Sequence, residues 1–176
     1  MANTISIFTD AATSPQAGVA VGAFLCIDER YLINYAEFSM EMLSAELSDK
    51  VVYSEFASNK STWAEIKTAI HALDSALNIT KPGCKIEIYT DCQSLCDLLG
   101  KRKENLEKNK FMTRAGKLLQ HADLYKELYV MAEKFQVQIF KLKGHHPKSY
   151  HLTLQEKIFS LLDKLTRQRL RSITNK

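Results

Sequence analysis

Apolar residues alternate or run together in short blocks through the first third of the chain and recur at helical spacing through most of the rest. Ile5, Ile7 and Phe8 open a strand that delivers Asp10 and then meets small residues and Pro15, the pattern of a strand entering a turn. Residues 17–27 predict a second strand, residues 28–30 a turn, and residues 31–38 a third strand joined to the second as a hairpin. Residues 40–50 fit either a helical turn or a long excursion. Residues 51–56 then read as a further strand or the continuation of one.

The spacing of Ile66, Ala69, Ile70, Leu73, Ala76 and Leu77 predicts a helix over 63–77. Residues 85–91 repeat the opening design: alternating strand formers, Thr90, then Asp91. A short helix through 94–99 follows, with Gly100 placed to end it. Leu124, Leu128, Met131, Ala132 and Phe135 mark an amphipathic helix, residues 137–142 the last strand, and residues 143–148 a loop. A long helix spans 153–173, where Thr153 and Glu156 can form a capping box. Hairpin strands followed by alternating helices and strands predict an α/β fold, a mixed sheet with helices on its faces.

At 176 residues the chain suits one domain over 1–176, and its 45% hydrophobic and 25% charged content is that of an ordinary globule. A net charge of +4 is compatible with a polyanionic partner without demanding one. Its distribution says more, because residues 101–117 carry seven cations around only Glu104 and Glu107. That stretch is the best electrostatic candidate for a phosphate-backbone contact, with a solvated basic loop as the plain alternative. Cys26, Cys84, Cys92 and Cys96 include no CxxC pair, so reduced thiols in a cytoplasmic protein are expected. The longest apolar run, 17–27, is too short to span a bilayer, and no membrane role is expected.

Four acids are candidates for chemistry, and each has a plainer reading. Asp10 can simply open a turn. Glu65 fits a capping box with Thr62, although it borders the helix face that packs on the sheet. Asp91 can cap the helix after its strand. The echo of Phe8-Thr9-Asp10 in Tyr89-Thr90-Asp91 raises it, since parallel neighbouring strands would bring the two carboxylates together and like charges that close need a cation. Magnesium or manganese is the natural occupant. Asp163 falls off the buried stripe of the last helix, toward Phe159 and Leu170, where an exposed ion-paired acid is an equal reading. His145 and His146 sit in the loop before that helix, where a histidine near a metal site can shuttle protons.

Taken in order, Phe8-Thr9-Asp10, residues 64–70, residues 88–94, Ala122-Asp123-Leu124-Tyr125 leading into residues 141–145, and residues 163–167 resemble the ribonuclease H family, in its type 1 branch. The resemblance covers most of the chain. It implies a five-stranded mixed sheet, three antiparallel strands followed by parallel ones, flanked by helices. The implied activity is metal-dependent endonucleolytic hydrolysis of the RNA strand of an RNA–DNA hybrid, leaving 5′-phosphate and 3′-hydroxyl ends. Asp10, Glu65, Asp91 and Asp163 match the family's metal-binding acids, and His145 its loop histidine. Two Mg2+ ions, or Mn2+, are implied, with Asp10 bridging them, Glu65 and Asp91 holding one and Asp163 helping to hold the other. His145 would assist proton transfer or product release.

The chain departs from the family at Ala11, where glycine is usual, and at residues 60–63, where Asn-rich residues usually precede the helix glutamate. Residues 39–50 look inserted, and the segment between His145 and Asp163 is longer than usual, so Glu156 is a fallback for the fourth ligand. Residues 101–117 occupy the place of the family's basic protrusion. Two rival readings keep the fold: a nucleic-acid-binding or interaction module with weak or absent cleavage, and another nuclease of the superfamily. Oligomeric state stays open, with a monomer favoured.

Overall fold

The computed structural model describes residues 4–143 and 152–175. Five strands form one sheet: β1 (Thr4–Ser14), β2 (Val19–Asp28), β3 (Val52–Phe56), β4 (Lys85–Thr90) and β5 (Gln136–Lys141), in the order β3-β2-β1-β4-β5. The first three run antiparallel to their neighbours, while β1/β4 and β4/β5 are parallel. This is the mixed sheet expected from the sequence.

The early region differs from expectation at two points. Residues 31–38 are not a strand: Glu29–Leu32 is a short helix (α1) capped by Asp28, whose carboxylate accepts from the Arg30 amide, and Ile33–Tyr35 continues it as a 3₁₀ turn. Leu32 and Tyr35 are buried three residues apart while Ile33 is 75% exposed, which is a helical period and not the period of two that a strand requires. The third strand is instead Val52–Phe56, reached through α2 (Met40–Leu47), which settles the ambiguous 40–50 segment as helical. Nor does β1 end at Asp10. It continues to Ser14 as a hairpin with β2, pairing Asp10 with Ala23, and the turn lies beyond.

Alternation along β1 divides the core in two. Ile5 and Ile7 pack with Ile86 and Ile88 of β4 against α3 (Ser61–Leu77), α4 (Gln93–Leu99), α5 (Lys103–Lys108) and α6 (Ala122–Ala132). On the opposite face Phe8, Ala23, Leu25 and Tyr89 pack with Leu43 and Leu47 of α2 and with Ile158, Phe159, Leu161 and Leu162 of α7 (Leu154–Thr174). Stacked rings of Phe8, Tyr89 and Phe140, with centroids 5.0 and 5.2 Å apart, run across three parallel strands on the α7 side. Close approach of α3 requires Gly22, because a Cβ there would lie 1.9 Å from Thr68 Oγ1. No helix among the described residues is long and apolar enough to cross a membrane.

Candidate metal centre

Asp10 and Asp91 are brought together by strand register. β1 and β4 pair in parallel through Phe8 opposite Tyr89, and extending that register by two residues sets Asp10 beside Asp91. The repeated tripeptide is therefore two matching strand ends lying side by side. Parallel pairing stops before the acids, so their neighbourhood opens where β4 gives way to α4. Asp91 does not cap that helix; Cys92 occupies the cap position, and its amide is held by Thr90 Oγ1 at 3.1 Å.

Glu65 arrives from the other layer. It is not part of a capping box, because α3 begins at Ser61 with Lys60 at its cap and Thr62 already inside the helix. Its carboxylate reaches the sheet, where Oε1 accepts from the Ala11 amide at 3.2 Å. Asp10, Glu65 and Asp91 each place a carboxylate oxygen within 4.8 Å of the others. Asp10 and Glu65 are only 5% and 7% exposed, and Asp10 Oδ2 and Glu65 Oε2 are buried without a hydrogen-bond partner among the described residues. Buried anionic oxygens left open in this way are costly unless a cation meets them. An all-carboxylate donor set of this kind fits a hard divalent ion.

The electrostatics agree. Burial, and then the charges of Asp163 and Asp91, push the Asp10 carboxyl up to about 7, against the neighbouring Thr166 hydroxyl and the positive charge of Arg167. Burial and the charges of Asp10 and Asp91 hold Glu65 well above the usual carboxylate range. Burial and the nearby Glu65 charge raise the Cys92 thiol to about 11, so it stands beside the cluster as an uncharged group.

Asp163 lies outside that tight trio but near it, on α7, and its charge is the largest single charge acting on Asp10. It is ion-paired with Arg167 one turn on, Oδ1 to Nε 2.7 Å. Glu156 is otherwise occupied: its carboxylate accepts from the Thr153 amide at 2.8 Å, completing the capping box at the start of α7. His145 lies outside the described residues. Two contributors were not singled out from the sequence. Thr166 is fully buried beside Asp10, and Arg167 neutralises Asp163. Their spacing of three and four residues from Asp163 on one helix is the signal that marks them.

Residues 2–152 match the RNase H family profile. The chain belongs to the RNase H family. The ribonuclease H of Rhizobium etli is 28% identical over 148 residues, covering 82% of this chain and 83% of that protein. Against other curated ribonucleases H this RNase H-family chain spans about half of their length. Among solved structures, LC9-RNase H1, a type 1 RNase H with the type 2 active-site motif, shares the fold at a TM-score of 0.68 and 10% identity, covering 99% of this chain and 75% of that one. A foamy viral protease-reverse transcriptase in complex with an RNA/DNA hybrid shares it at 0.59 and 17%, covering 95% of this chain and 20% of that one. The RNase H fold and the acidic trio thus coincide in one molecule.

Proposed function

We propose that this protein is a metal-dependent endoribonuclease that cuts the RNA strand of RNA–DNA hybrids through one RNase H domain over residues 1–176. The observation that carries the proposal is the convergence of Asp10, Glu65 and Asp91 from two strands and a helix on one point, with Asp163 close by. Family membership gives the reaction class, and the foamy viral relative of the same fold is a protein bound to an RNA/DNA hybrid.

Asp10, Glu65, Asp91 and Asp163 would hold two Mg2+ or Mn2+ ions, which when bound activate a water and stabilise the departing oxygen in an in-line displacement at phosphorus. The remaining work falls to the chain. Asp10 stands on the central strand, where the pairing with Ala23 fixes its backbone and its Oδ2 is buried without a hydrogen-bond partner among the described residues. The Ala11 amide fixes Glu65 by its Oε1, leaving Oε2 buried and without a hydrogen-bond partner among the described residues. Asp163 is steadied by Arg167, and Thr166 by its 2.8 Å bond to the Leu162 carbonyl. His145 is proposed to move a proton or assist product release. The products would carry 5′-phosphate and 3′-hydroxyl ends. Arg102, Lys108, Lys110, Arg114 and Lys117 are exposed on the 101–117 stretch and would take the phosphate backbone.

The decisive experiment incubates labelled RNA–DNA hybrid, duplex RNA and duplex DNA with wild type and Asp10→Asn in Mg2+. Cleavage confined to the RNA of the hybrid, lost in the variant, is expected. Hybrid binding by the wild type without any cutting would overturn the nuclease reading in favour of a binding module.

A further inference from the structure

The last helix carries positive charge that the acidic cluster does not use. The buried side of α7 consists of Ile158, Phe159, Leu161, Leu162 and Thr166. At 100° per residue, Lys164, Arg167 and Arg171 fall together on the outward side, and all three are exposed. Asp163 is the only acid from Lys157 to Asn175, and Arg167 pairs with it. Arg169 leaves the strip, turning its guanidinium to Glu55 at 2.7 Å and over the Tyr53 ring. Lys164 and Arg171 make no ion pair among the described residues; Glu41 of α2 borders the same groove as Lys164 without meeting it as a salt bridge.

Two features indicate what this strip meets. Arg167 ties it to the acidic cluster, because its guanidinium meets Asp163 at 2.7 Å one turn away. From Lys164 to Arg171 it extends about 10 Å along the helix axis at 1.5 Å per residue, a length that faces about three phosphates of a nucleic-acid strand. The basic 101–117 stretch belongs to the opposite layer, since its Leu106 packs with α3, whereas α7 packs on the other face. Cationic surface therefore occurs on both faces of the sheet, with the acids at the strand ends between them. A duplex offers phosphates to both.

We propose that Lys164 and Arg171 grip the phosphate backbone of the hybrid strand lying over α7, with Arg167 between them linking the strip to the acidic cluster. The contact is to phosphate oxygens and carries no sequence preference. It deepens the nuclease reading and rests on it.

The test measures anisotropy of a short fluorescein-labelled RNA–DNA hybrid with the full chain, in Mg2+ and an Asp10→Asn background that prevents cutting, across a salt series. Removing both cations, as Lys164→Ala with Arg171→Ala, is expected to lower the slope of log K against log salt by about 1.8, about 0.9 per lost contact. At about 0.1 M salt the same relation gives a loss of roughly tenfold to sixtyfold in affinity. The double glutamine variant, which retains long side chains on the helix, gives the same result. Lys81→Ala with Lys134→Ala removes as much charge near the opposite ends of β4 and β5 and leaves the slope unchanged. Unaltered slope and affinity in the α7 variants overturn the strip alone, as does an equal loss in the control pair. Failure of the parent to bind hybrid at all overturns the strip and the nuclease reading together.

Discussion

Replacing Asp10 by asparagine should stabilise the ion-free protein at alkaline pH while abolishing its response to divalent ions. In the folded chain burial and the charges of Asp163 and Asp91 lift Asp10 from 3.8 to about 7. The native state therefore holds a proton that the unfolded chain releases, and stability falls as pH rises from about 4 through 7. The full penalty above pH 7 is about 4 kcal/mol, three units at about 1.4 kcal/mol each. Asparagine removes that penalty but leaves buried amide hydrogens to satisfy, which costs about 1–3 kcal/mol. A net gain of about 2 kcal/mol remains, or roughly 4–8 °C in Tm for a chain of this size. Thermal denaturation in EDTA at pH 8 and pH 5 reads it directly. At pH 5 only about 1.2 of the three units apply, a penalty of about 1.7 kcal/mol that the amide cost offsets, so the advantage disappears. Adding Mg2+ at pH 8 raises the wild-type Tm by preferential binding to the native state, and leaves the variant where it was. The reasoning fails if the variant melts below wild type at pH 8 in EDTA, or if the difference between them does not change with pH.

Glu65→Gln keeps an acceptor for the Ala11 amide, so the fold should survive while divalent affinity, measured calorimetrically, falls by at least tenfold. Glu156→Ala should cost about 1 kcal/mol in urea denaturation through loss of the capping box and leave divalent affinity unchanged; a drop in affinity would restore Glu156 as a ligand. Gly22→Ala drives a methyl into Thr68 Oγ1, and a loss of about 1–3 kcal/mol is expected from overpacking. Combining it with Thr68→Ala should recover part of that loss, and strict additivity would show that the close approach is not its cause.

The sequence revealed most where pattern and packing coincide. The apolar stripe of α3 and the capping box of α7 needed no tertiary information, because the periodicity and the cap are local. The repeated aromatic-Thr-Asp was legible for the same reason, although only the register shows that the repeats lie side by side. Residues 31–38 misled because Tyr31, Ile33 and Tyr35 alternate like strand residues. Packing of Leu32 and Tyr35 under the sheet overrides that local preference and leaves Ile33 in solvent. Glu65 offers the converse case. Thr62 and Glu65 have capping-box spacing, but α3 starts earlier and its glutamate is drawn to the Ala11 amide, a partner 54 residues away that no local pattern encodes.

The acidic trio and the nearby Asp163 draw on both layers of the molecule. Asp10 and Asp91 come from adjacent strands, Glu65 from the helix packed on one face, and Asp163 from the helix packed on the other. Each layer has its own hydrophobic cluster, so either can loosen locally without dissolving the other. The acids repel one another across that division: Asp163 is the largest charge raising Asp10, although the two side chains belong to different elements. Arg167 offsets part of this repulsion from within α7 through its 2.7 Å bond to Asp163. A divalent ion at the cluster would offset the rest, drawing α7 toward β1 as it binds. Ion binding and docking of the last helix should therefore be coupled. The helix that carries Asp163 also carries Lys164, Arg167 and Arg171, so ordering it around an ion would set acid and cations in place together.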